Sequence, residues 1–225
     1  YGKVTSNSSY AGGIVAFSEG GGNFTDNYNS GEIRGTVTAG ILGYNEDDAI
    51  DFTESVNSGL VCGTKQSGGI LGYTGTRSND KKYIFDKCEN NAEVISQGSY
   101  AGGIVGELST DNLEHSFVGC KNTAPVTGDI STGGICGKNE GGANFTDCVN
   151  TGAIISKRTC AAGICAYCVD DSSKFTNCVN EADISGVQSS GGIVGELGDK
   201  DHDKVFTFVK CENKGKVTAT ELNAG

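Results

Sequence analysis

A unit of about thirty residues is written seven times along this chain, and no other feature restricts the fold so severely. A fixed period of that length makes each repeat one supersecondary unit packed on its neighbours. Phe24, Phe52, Phe85, Phe117, Phe145, Phe175 and Phe208 each stand five residues before an Asn: Asn29, Asn57, Asn90, Asn122, Asn150, Asn180 and Asn213. Two residues after every Asn comes Gly or Ala, and two further on comes Val or Ile. The residues between are mostly polar, so this arc alternates with the period of two of a β-strand. A second arc follows: a small residue, Gly, Ile, an apolar residue or Cys, then Gly or Ala, as in GGILG at 68–72 and AGICA at 162–166. Its Ile residues, Ile14, Ile41, Ile70, Ile104, Ile135, Ile164 and Ile193, recur every 27 to 34 residues.

Helical repeats of this length need a period near 3.6, and none is visible. The 36 Gly would moreover cost a helix about 1 kcal/mol each relative to Ala. Ile, Val and Phe stand where a leucine-rich repeat would place Leu, and a propeller blade needs about forty residues. What remains is an all-β, parallel β-solenoid, a right-handed β-helix of about seven coils. Three strands of four to six residues are expected per coil, stacked at about 4.8 Å into a rod roughly 34 Å long. Residues 1–225 form one solenoid domain with coils ending near the seven Asn, and residues 214–225 begin an eighth. Opening at Tyr1 in mid-repeat, the chain is expected to be a segment of a longer protein. In this geometry each column becomes a ladder: Phe inward as stacked rings, and Asn at a turn, bonded to its own backbone and to the Asn one coil along. The Gly before each Ile allows a close approach that a Cβ would block.

The AGGIVG-type segments in register with F-x-x-C-x-N-x-G-x-V arcs resemble, from Gly2 to Ala219, the GLUG-motif repeats of bacterial cell-surface and adhesin-like proteins. Such repeats also occur in non-catalytic regions of immunoglobulin A peptidases. The resemblance implies an extracellular, cell-surface or secreted repeat region that serves as stalk, spacer or adhesive surface, and it implies no chemistry. The zinc-binding H-E-x-x-H of those peptidases is absent, since His115 and His202 are the only His.

Ten Cys leave three readings open. Cys88, Cys120, Cys148, Cys178 and Cys211 share one column, where Asn27 and Ser55 stand in the first two coils. Cys136 and Cys165 share another on adjacent coils. Buried free thiols, one or two disulfides (Cys136 with Cys165 foremost) and a metal cluster around Cys165-Ala-Tyr-Cys168 all fit stacked coils. No cofactor is expected, with one exception: Asp199, Asp201 and Asp203 alternate in GDKDHDK and could ligate Ca²⁺, although Lys200 and Lys204 offset their charge and no bidentate Glu follows.

No Ser/His/Asp or Cys/His set is present, and no coil carries a distinctive set of Asp, Arg and Lys on its strands. The expectation is therefore a non-enzymatic adhesin stalk or adhesive surface, with a head-to-tail filament protomer as the alternative and a carbohydrate-active β-helix enzyme as a distant third. The net charge of -11 argues against nucleic acid as a partner, and no apolar run is long enough for membrane insertion. A surface protein or glycan of a host or neighbouring cell, or end-to-end stacking of copies, is expected instead. Contact is expected along the edge formed by connectors such as YTGTRSNDKKYI and ELGDKDHDKVFT, where the repeats stop agreeing.

Overall fold

The structure, a computed structural model, describes residues 2–75, 82–109, 114–169, 172–198, 203–221 and 223–224. Among these there is no helix, and every strand pairing is parallel. The chain is a β-solenoid of about seven coils. Each coil holds five short strands where three were expected; in the second coil they are Glu32–Gly35, Val37–Ala39, Leu42–Asn45, Ile50–Thr53 and Val56–Asn57. Tight corners cut the two arcs into these pieces. Equivalent strands of successive coils stack into five sheets, named I to V in chain order, with eight strands in sheets I and II and seven in sheets III, IV and V.

The repeat columns are the register. Phe52, Phe85, Phe117, Phe145 and Phe175 are fully buried in sheet IV, and the seven Phe rings stack at centroid spacings of 4.5 to 5.2 Å. Each such pair adds about 0.5–1.5 kcal/mol beyond the burial itself. The Asn ladder runs through sheet V: every Nδ2 from Asn29 to Asn180 donates to the next Asn Oδ1 at 2.7 to 2.8 Å. The second N–H of each amide reaches the carbonyl two residues on, as in Asn122 to Ala124 at 2.8 Å, so both amide donors are satisfied without water.

The Cys column explains its own exchange with Ser. Cys120 donates its thiol to the Phe85 carbonyl at 3.3 Å, and Ser55 donates its hydroxyl to the equivalent Phe24 carbonyl at 3.1 Å. Burial, with the neighbouring Cys148 and Cys88 thiols, holds the Cys120 thiol well above its ordinary range, so Cys120 stands in the column as a neutral donor. The corner just before it, between sheets IV and V, is left-handed in every coil: Asp26, Glu54, Lys87, Gly119, Asp147, Asn177 and Lys210 have φ between 50° and 61°.

Two main cores fill the cross-section, and a small cluster of Cys160, Ala162 and Ala166 is buried apart from them. Ile33, Val61, Val94, Val126, Ile154 and Ile184 of sheet I meet Ala11, Ala101 and Ala161 of sheet II. The larger core lies between sheets III, IV and V and contains the Phe stack from Phe24 to Phe175 and the second-arc Ile residues from Ile41 to Ile193; Phe208 and Ile14, at the open ends, are exposed. Between the two main cores the section narrows to a waist, where the Gly before each Ile presses on the Asn ladder. A Cβ on Gly103 would lie 2.1 Å from the Gly134 carbonyl oxygen and 2.6 Å from Asn122 Cγ. The same contact recurs from Gly13 to Gly192, which accounts for the unbroken Gly column beside the unbroken Asn column.

Candidate functional site

A waist inside a coil implies a re-entrant corner outside it. That corner joins sheets II and III, and side chains pointing away from both cores meet across it. Tyr10 of sheet II and Phe17 of sheet III stack at 5.6 Å, and each contacts Tyr44 one coil along, at 4.4 Å and 5.5 Å. Tyr44 in turn stacks on Tyr73 at 5.3 Å. The corner is thus a groove parallel to the rod axis. Its sheet III wall is the register column Phe17, Tyr44, Tyr73, Glu107, Lys138, Tyr167 and Glu196.

Midway along the groove sits a charged knot. Lys138 Nζ lies 3.2 Å from Glu107 Oε1, is hydrogen-bonded to Glu140, and stands 5.0 Å over the Tyr100 ring. Gln66 Nε2 donates to the second Glu107 oxygen at 2.8 Å, and Ser109 donates its hydroxyl to Glu140. Burial raises the Glu107 carboxyl above its ordinary range against the pull of Lys138. Burial also opposes the Lys138 charge, but the hydrogen bond it donates to Glu140 and the field of Glu107 outweigh it and hold the ammonium above its ordinary range. Further on, Cys160 donates its thiol to Glu196 Oε2 at 3.1 Å. Burial and that carboxylate push the Cys160 thiol up to about 12, which removes it as a nucleophile near neutral pH.

Two hollows open on the groove. One of about 370 Å³ is bordered by Tyr10, Lys65, Gln66 and Tyr73; the other, of about 230 Å³, by Tyr100, Ser131, Cys160, Tyr167 and Glu196.

The residues singled out from sequence fall elsewhere. Asp199, Asp201 and His202 lie outside the described residues, as does part of each longer connector; Asp203 is exposed, 3.5 Å from the ammonium of Lys204. Cys136 and Cys165 are register partners on adjacent coils and both carry free thiols; Cys168 directs its thiol at Cys165 Sγ, 2.7 Å away. Among the described residues no three His, Cys, Asp or Glu are grouped to hold a metal ion. The connectors all join sheet III to sheet IV, so they do share one edge. Glu107, Lys138 and Glu140 form a charged group across two adjacent coils, distinct from a set of Asp, Arg and Lys on the strands of one coil. The signal was present: the first residue of each connector, F, Y, Y, E, K, Y and E in order, is not loop but the groove wall.

His115 belongs to the core, fully buried beside Tyr83, whose backbone N–H donates to His115 Nδ1 at 3.2 Å. Burial, with Lys82 nearby, lowers its pKa to about 4. Between the ordinary value near 6.5 and that value the unfolded chain binds a proton the folded core refuses, so stability falls as pH falls. The expected loss, read by urea denaturation across this window, approaches about 3 kcal/mol. His115→Ile, matching Ile50 in the same column, should remove this slope; an unchanged slope would place the titration elsewhere.

No family model matches the chain, and neither the curated proteins nor the solved structures contain a significant match to it.

Proposed function

We propose that this chain is a non-enzymatic, extracellular solenoid module of a surface protein whose groove between sheets II and III is an adhesive face. The observation that carries the reading is the groove itself, continuous over successive coils, walled by aromatic and charged side chains, and opening into two hollows. An elongated track of this kind suits an extended ligand, a surface polypeptide or a glycan, better than a compact substrate. The carboxylates support the non-enzymatic reading, because buried Glu107 and half-buried Glu140 are both engaged in holding Lys138 between them.

The test is attachment of beads carrying the intact protein to cell monolayers. Tyr10→Ser, Phe17→Ser and Tyr73→Ser combined should reduce attachment at least tenfold, whereas shortening the connectors within 76–81 and 199–202, clear of the core residues Tyr83 and Phe206, should leave it intact. The reverse pattern moves adhesion to the connector edge, and no attachment by the intact protein leaves a stalk alone. Electron microscopy should show single short rods; fibres would favour the filament protomer.

A further inference from the structure

The groove already binds one alkylammonium group, its own. Lys138 lies between two carboxylates with the Tyr100 ring at 5.0 Å, which combines ion pairing with a cation–π contact in a partly desolvated site. The same chemistry recurs one step along. The sheet III wall continues from Lys138 to Tyr167 and Glu196, while the facing sheet II positions after Tyr100 are the small residues Ser131 and Cys160. Because these two side chains are short, the groove opens there into the hollow of about 230 Å³ with Tyr100 and Tyr167 at its walls. Glu196 is exposed at its border, and the Cys160 thiol, 3.1 Å from Oε2, fixes the carboxylate in place.

We propose that this hollow receives the ammonium or guanidinium head of a basic side chain from an extended polypeptide partner, with Glu196 as counter-ion and the Tyr167 and Tyr100 rings as its apolar and cation–π walls. This rests on the groove being the adhesive face and names what that face selects. The net charge of -11 favours a basic partner over an acidic one and speeds its approach. A neutral glycan could stack on the same rings and donate hydroxyls to the carboxylate, but it would gain nothing from the charge of Glu196 or of the whole chain.

The probe is a ten-residue lysine-containing peptide titrated into the intact protein at low salt, beside the same peptide with every lysine acetylated. The free-amine peptide should bind at least tenfold more tightly than the acetylated one. Tyr167→Leu and Glu196→Gln should each weaken it about tenfold, with circular dichroism unchanged, while Glu54→Gln, an exposed carboxylate of sheet IV's corner, should leave it intact. Equal binding of the acetylated peptide, equal weakening by Glu54→Gln, absence of binding at millimolar peptide, or a preference for neutral oligosaccharides would each overturn the proposal. Cell attachment that depends on Tyr10, Phe17 and Tyr73 but is indifferent to Glu196→Gln would overturn this inference alone. Attachment indifferent to all of them would overturn the adhesive groove as well.

Discussion

Gly134→Ala is expected to cost about 4 kcal/mol or more, enough to unfold the central coils of a marginally stable chain. Its Cβ would stand 2.1 Å from the Gly163 carbonyl oxygen and 2.5 Å from Asn150 Cγ. Neither neighbour can retreat. The Gly163 carbonyl belongs to the next coil's backbone, and Asn150 is bonded at 2.8 Å to Asn122 on one side and to Asn180 on the other. Relief would have to come from separating the coils or breaking the ladder, and a broken ladder strands buried amide groups at about 1–3 kcal/mol each. Gly119→Ala is the control. That residue has φ +61° and only a Lys87 carbon at 3.4 Å, so a methyl group meets backbone preference rather than an obstacle. About 1 kcal/mol is expected there. Urea denaturation of the two variants separates a packing glycine from a conformational one; equal, small losses would mean that the waist is soft.

The same contrast shows what the sequence could and could not disclose. Columns that face a core repeat because each coil must match the one below it, so Phe, Asn, Ile and Val announced the solenoid and its register. The Gly–Asn waist was half legible: the close approach was readable from an unbroken Gly column, but that it lay against the Asn ladder required the coil to be closed. The left-handed corner was hidden because Asp26, Glu54, Lys87 and Lys210 are held there by the pairing around them, against their own preference. The groove was hidden for a different reason. Its wall residues, from Phe17 to Glu196, vary in chemistry, so agreement between repeats stops one residue short of them and they read as the start of the connectors. Only the re-entrant corner turns a column of unlike residues into one surface. Lys138 and Glu107 are 31 residues apart and become neighbours solely through coil stacking.

Removing Lys138 should be the most damaging change on the groove itself. Lys138→Ala leaves Glu107, buried and already raised by burial, beside Glu140 with no cation between them. Stranding one side of a buried pair typically costs about 3–5 kcal/mol, and the upper part of that range is expected because two carboxylates then face each other. Three consequences distinguish this from simple loss of packing. The deficit should shrink as pH falls, because the folded state of the variant holds a proton on the raised carboxyl more tightly than the unfolded chain does. Adding Glu107→Gln and Glu140→Gln to Lys138→Ala should restore most of the stability, since neutral amides can bond to each other and to Gln66 and Ser109. A small alkylammonium such as butylammonium should raise the melting temperature of Lys138→Ala and not of the parent protein, because it binds only where a site has been vacated. Butanol, of similar size and uncharged, should not. If butylammonium and butanol act alike, the knot is held by packing, and the groove's selectivity for cations, on which the neighbouring hollow's proposed role depends, loses its internal precedent.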